Sequence, residues 1–250
     1  MPNLIKLLAS NRQRAPKLPQ SRIVAADTGD ETTIYIYDPI VSDELTAEWW
    51  GGISAQALVP EIRAIKGGTI HLRINSPGGD VFAAQAICQA IRETGAKVVA
   101  HIDGYAASAA TVIATAADEA EIADGAFFMI HNAWTFAMGN ANDLTEAAAL
   151  LSKVDGSIAA QYAKKSGMAI DDIKAKMDVE TWFTAAEAVE AGLVDRIAAD
   201  AKADPKAAWN LSAYANAPRP APAQIEDCIT EEHRDRQQQR LRMLSRLQVS

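Results

Sequence analysis

Long apolar runs and cysteine are both scarce in these 250 residues: no stretch approaches the length of a membrane span, and the only thiols are Cys88 and Cys228. The first shortage predicts a soluble protein. The second, with one thiol in an apparent core helix and the other in a tail, leaves no need for a disulfide or an oxidising compartment. Positive charge is also short, 24 Lys and Arg against 32 Asp and Glu, and the formal net charge of −8 argues against a general nucleic-acid binder. Neither GxxxxGK[ST] nor GxGxxG occurs, so nucleotide binding has no cradle. HExxH and clustered cysteine ligands are missing as well, which removes the usual metal-hydrolase ligand sets. The start, MPNLIKLLAS, holds too short an apolar stretch for a secretory leader, and the expected compartment is the cytoplasm.

What remains is an ordinary globular balance, 49% hydrophobic and 22% charged. Composition divides the chain into a mobile arm over 1–30, one folded domain over 31–199, an Ala/Pro-rich linker over 200–224 containing APRPAPA, and a short helical tail over 225–250. Within the domain, strands are predicted at Thr32 to Asp38, Thr69 to Ile74, Lys97 to Ile102 and Phe127 to Ile130. A final strand is expected at Leu193 to Ile197. Helices are predicted from Leu58 to Ile65, with Pro60 acceptable only near the first turn, and from Val81 to Glu93. A long helix from Asn142 to Gly167 carries an apolar stripe of Leu144, Leu150, Leu151, Val154, Ile158 and Tyr162. Thr184 and Glu187 form a capping box for a short helix that Gly192 ends. The paired Trp49 and Trp50 read as residues buried against the core or a subunit neighbour rather than as a ligand surface.

Three features carry chemistry. The first is DGYAASAAT, Asp103 to Thr111, in which Gly104 is expected to turn the chain and Ser108 to stand at a helix start among small residues. A serine there can attack a carbonyl if a base takes its proton and N–H donors meet the oxyanion; taken alone, it is more often a cap. The second is the turn Asn75-Ser76-Pro77-Gly78-Gly79, whose adjacent glycines allow N–H groups to face a cleft. The third is His131, at the end of an apolar strand. His71 and His101 lie inside strands and His233 in the tail, where packing or exposure explains them. Asp178 and Glu180 are acids that orient a histidine or are simply solvated.

Ser76 to Gly79, DGYAASAAT, MIHN and ETWFTAAEAVEAGLVD together resemble, in order and spacing, the signatures of the ClpP family of serine peptidases, and within it the bacteriophage head-maturation (prohead) protease branch. The resemblance covers about residues 32–199. It implies an α/β fold, a ClpP/crotonase-type superhelix of ββα units with a projecting handle helix. By the same resemblance Ser108 is the nucleophile, His131 the general base, and the N–H groups of Gly79 and Ala109 the oxyanion hole. Glu180 falls where the family usually has aspartate, with Asp178 as the reserve. No cofactor or metal is implied. The implied partners are a capsid or scaffold protein as substrate, a homo-oligomeric ring (heptamer or double heptamer) and an ATP-dependent unfoldase, with neither nucleic acid nor membrane.

Three other readings stay open at this level. Crotonase-type enzymes share the fold but act on acyl-CoA. Signal-peptide peptidases of the same superfamily pair serine with lysine. An inactive assembly or scaffold protein would keep the shape without the chemistry.

Overall fold

The computed structural model describes residues 23–25, 30–202 and 214–218. The chain forms two compact units, Met1–Ala217 and Pro218–Ser250. Apart from Pro218, every described residue belongs to the first. Most of the N-terminal arm, most of the linker, the C-terminal tail, His233 and Cys228 lie outside the described residues.

The first unit is built on an eight-stranded sheet with spine order β1(Ile23–Ala25), β2(Glu31–Ile36), β5(Thr69–Ser76), β6(Lys97–Ala107), β7(Glu119–Asp124) and β10(Arg196–Lys202). β1 is antiparallel to β2; the other spine pairs are parallel. β8(Phe127–Ile130) leaves the spine to pair with β6, and β9(Thr181–Thr184) pairs antiparallel with β8. The short β3(Ile40–Val41) and β4(Ile53–Ser54) make a separate parallel pair. This is the mixed α/β architecture, parallel sheet and helices, that the motifs imply.

The sheet's two faces differ because alternate side chains point to opposite sides. Ile34, Ile36, Ile70, Leu72, Ile74, Ala100, Ile102 and Ile122 are buried in the main core with helices α2(Ala55–Ala64), α3(Val81–Glu93) and α4(Ala109–Ala114). Burying each isoleucine fully contributes about 1.5–3 kcal/mol. The intervening residues form a polar lattice: His71 Nδ1 meets His101 Nε2 at 2.9 Å, and His101 Nδ1 meets Glu121 at 2.6 Å. Arg196 bridges Glu121 and Glu119, and Arg73 and Tyr37 both reach Asp103. Two of the four histidines are thus accounted for by sheet packing.

Several boundaries differ from expectation for identifiable reasons. α2 begins three residues early because Ser54 caps it, its hydroxyl accepting the Ala57 N–H, and this puts Pro60 inside the helix rather than in its first turn. No turn occurs at Gly104; β6 runs on through it to Ala107. The register against β5 slips there, Ile74 opposing Ile102 but Ser76 opposing Ala106, so Gly104 lies within a bulge. A side chain at Gly104 would collide with the Asn75 amide oxygen. β10 starts three residues later than predicted because the Leu193 and Val194 N–H groups bond back to the Ala188 carbonyl in α7(Ala185–Glu190). The Thr184–Glu187 capping box forms as read.

α5(Ala141–Ser166) is the long helix, capped by Asn140 and ended by Gly167 in the left-handed conformation. Its stripe is divided. Ile158 and Tyr162 are buried and Val154 packs against the core, whereas Leu144 and Leu150 remain 46% and 54% exposed. α6(Ile170–Asp178) packs beside it. Trp49, at the end of α1(Glu44–Trp50), is largely exposed rather than packed in the core. Cys88 is buried and its thiol pKa is pushed up to about 12 by desolvation, as suits an inert packing residue. Among the described residues, no helix is long and apolar enough to cross a membrane.

Candidate active site

The bulge in β6 lets one strand serve two neighbours. Its first half pairs with β7, and Tyr105–Ala107 pair with Phe127–Met129 of β8. The Ser108 N–H continues that ladder by donating to the Met129 carbonyl at 2.9 Å. β8 therefore delivers His131 beside Ser108, and His131 Nε2 lies 2.8 Å from Ser108 Oγ. The antiparallel β8–β9 register, Ile130 opposite Thr181, places Glu180 across from His131 when extended by one residue.

Ser108 has φ 54° and ψ −125°, an uncommon conformation for a residue with a side chain, and its hydroxyl makes no capping bond to α4. It turns instead to the histidine. Across from it, Gly78 and Gly79 have φ 82° and 146°. A side chain on Gly78 would meet the Ala109 nitrogen at 2.8 Å and Ser108 Cβ at 2.9 Å, so the missing Cβ leaves the space before the Ala109 N–H open. The turn is fixed from behind: Ile40 donates to the Gly78 carbonyl at 2.8 Å, and Asp80 donates to the Ile40 carbonyl at 2.9 Å. Because the peptide is trans, the Gly79 N–H points away from Ile40. Among the described residues, neither the Gly79 nor the Ala109 N–H donates a hydrogen bond. Ser76 braces the loop, its hydroxyl donating to the Asp38 carbonyl at 2.7 Å and accepting from the Gly78 N–H.

The two acids are placed differently. Asp178 accepts from the Asn132 amide at 2.7 Å. Glu180, with φ 52°, accepts from Trp182 Nε1 at 3.2 Å and from the backbone N–H groups of Ala215 and Asn216 at 3.1 and 2.6 Å. Neither acid bonds to His131. The residues that sequence reading missed are Tyr214 and Trp182. The Tyr214 ring stands edge-to-face against His131, with centroids 5.5 Å apart, and against Trp182 at 5.9 Å. The one signal for Tyr214 was an aromatic, with Trp209 nearby, in a stretch otherwise read as linker. Among the described residues, no three His, Cys, Asp or Glu side chains gather to hold a metal ion.

Burial drives the His131 pKa down from 6.5 to about 4, against the opposing pull of the Glu180 charge. The imidazole is therefore neutral near pH 7, and Nε2 can accept a proton. The unfolded chain binds this proton more readily than the folded one between pH 4 and 6.5. The stabilisation from a neutral His131 is thus complete above about pH 6.5 and is lost as pH falls towards 4. NMR titration of the His131 ring should give a midpoint near 4; one near 6.5 would show the ring to be hydrated.

A Clp protease family profile matches residues 24–201. The chain is 31% identical over 147 residues to an "ATP-dependent Clp protease proteolytic subunit" of Porphyromonas gingivalis, covering 58% of this chain and 66% of that protein. It is 32% identical over 133 residues to the Bacteroides fragilis protein of the same name, covering 52% and 64%. A third, from Ligilactobacillus salivarius, is 32% identical over 160 residues, covering 63% of this chain and 81% of the relative. The chain thus spans slightly less than two thirds of the length of the first two relatives.

Proposed function

The chain belongs to the Clp protease family, and we propose that it is a serine endopeptidase cleaving peptide bonds through an acyl-enzyme at Ser108. The observation that carries this reading is the 2.8 Å contact between Ser108 Oγ and His131 Nε2 at a strained serine that makes no capping bond. Ser108 attacks the peptide carbonyl while His131 Nε2 takes its proton and then passes it to the leaving amine. Water repeats the sequence to release the acyl group. The N–H groups of Gly79 and Ala109 receive the oxyanion. Glu180, opposite His131 in the ladder, turns its carboxylate to Nδ1–H to hold the tautomer that leaves Nε2 free.

The substrate assigned is a phage capsid or scaffold protein, on the resemblance of the four motifs to the head-maturation branch. The relatives' name supplies a competing reading, cleavage of chains fed by an ATP-dependent partner. One experiment tests both levels. The purified protein is treated with a fluorophosphonate and examined by intact mass, then co-expressed with candidate capsid and scaffold proteins. A single adduct lost in Ser108→Ala supports the peptidase; no adduct after prolonged treatment of wild type and of Tyr214→Ala rejects it. Cleavage without an ATPase supports the head-maturation role, and strict dependence on an ATPase rejects it.

The active form is a homo-oligomeric ring. Leu144 and Leu150 on the outer half of α5, with Phe136 and Met138 81% and 87% exposed just before it, supply an apolar surface for ring mates. Light scattering should therefore report a multimer for wild type. Leu150→Asp should dissociate it, because an unpaired charge is costly to bury at an interface. A fully active monomer, or an unaffected Leu150→Asp multimer, contradicts this assembly.

A further inference from the structure

The 214–217 segment lies beyond the 24–201 stretch matched by the family profile, yet it fills the centre of the site. Tyr214 is only 8% exposed and packs with Tyr105, Ala107 and Met129 as well as His131 and Trp182. Its hydroxyl donates to the Pro77 carbonyl, in the turn that carries Gly78 and Gly79. One side chain thus bridges the Pro77 turn and the His131 ring.

The residues that follow engage the acid. The Ala215 and Asn216 N–H groups both donate to the Glu180 carboxylate, and the Asn216 side-chain amide donates to the Val179 carbonyl at 2.7 Å. One short segment thus lies against the glycine-bearing turn and covers the base. It also occupies the carboxylate opposite the base. A substrate strand cannot reach the Pro77 carbonyl or the covered face of His131 while the phenol is there.

Resting on the peptidase reading above, we propose that Tyr214–Ala217 is a self-inhibitory plug, and that peptide binding requires its displacement. The chemistry needed to displace it is that of an extended peptide able to take over the Pro77 carbonyl and the aromatic surface of Trp182. With the plug out, Glu180 loses two backbone donors and becomes free for His131 Nδ1. An enzyme whose competent state is a minor fraction reacts in proportion to that fraction.

The test compares wild type, Tyr214→Phe, Tyr214→Ala and the double variant Ala215→Pro/Asn216→Pro, in which both N–H donors to Glu180 are removed. The rate of Ser108 modification by a small fluorophosphonate and the hydrolysis of a short fluorogenic peptide are measured, along with hydrogen exchange at residues 215 and 216 in the first three proteins. Tyr214→Ala and the double proline variant should react about tenfold faster or more, and Tyr214→Phe by an intermediate factor. The wild-type amides should exchange slowly, and those of Tyr214→Ala fast. Equal or slower reaction in Tyr214→Ala, or unprotected wild-type amides, overturns the plug. Protected amides with no adduct on any chain overturn the peptidase reading instead, and inhibition falls with it. Circular dichroism confirms that each variant is folded.

Discussion

Ser108→Ala and His131→Ala should each lower kcat/KM for peptide hydrolysis by about 10⁴-fold or more, and combining them should cost little beyond either alone. The two side chains act as one unit: a hydroxyl without a base is a poor nucleophile, and the base has no other proton to move. Both variants should fold, since Ser108 makes no capping bond to α4, whose own anchor is the hydrogen bond between the Thr111 and Tyr162 hydroxyls, the latter on α5. Active-site titration on purified, folded variants checks this. Retention of more than a small percentage of wild-type turnover in Ser108→Ala would remove the nucleophile assignment. Glu180→Gln should reduce turnover strongly and Asp178→Asn only modestly, because Glu180 is opposite His131 in the ladder and Asp178 is held by Asn132. The opposite ranking would transfer the role to Asp178.

The parts of the site legible in sequence were those in which residue type and local geometry coincide. Ser76, Gly78, Gly79, Ser108 and His131 lie at strand ends or in tight turns, where few residue types serve, and the pattern of small and apolar neighbours identifies such places. The α3 limits and the Thr184 capping box were readable for the same reason, since caps are local. The continuity of β6 through Gly104 was not readable. A glycine after an apolar run signals a turn, and only the Asn75 side chain across the sheet gives this one another use. Likewise, helical periodicity marks an apolar stripe on α5 without saying that Ile158 and Tyr162 pack at home while Leu144 and Leu150 face outward. Tyr214 was the least legible. Its partners are Pro77, His131 and Trp182, and no local pattern encodes contacts at such sequence separations.

Gly78→Ala should lower kcat/KM by about 10²–10³-fold while the protein remains folded. Two effects of the added methyl must be separated. At φ 82° any side chain strains the backbone, which costs about 1–3 kcal/mol of stability. The methyl would also stand 2.8 Å from the Ala109 nitrogen and 2.9 Å from Ser108 Cβ, in the space through which an oxyanion reaches the Ala109 N–H. Gly95→Ala supplies the control: Gly95 has φ 67°, but nothing lies within 4 Å of the position a Cβ would take. It should lose less Tm than Gly78→Ala, whose methyl also collides with the Ala107 carbonyl, and keep wild-type turnover, because it carries the backbone strain without the obstruction. Gly78→Ala should lose turnover at temperatures well below its own Tm, mostly in kcat, since the N–H is needed most when charge develops on the carbonyl oxygen. If both variants kept full activity, the Ala109 N–H would not be an oxyanion donor. If both lost it equally, the effect would be one of stability, and the space between Gly78 and Ser108 would have no special part in the reaction.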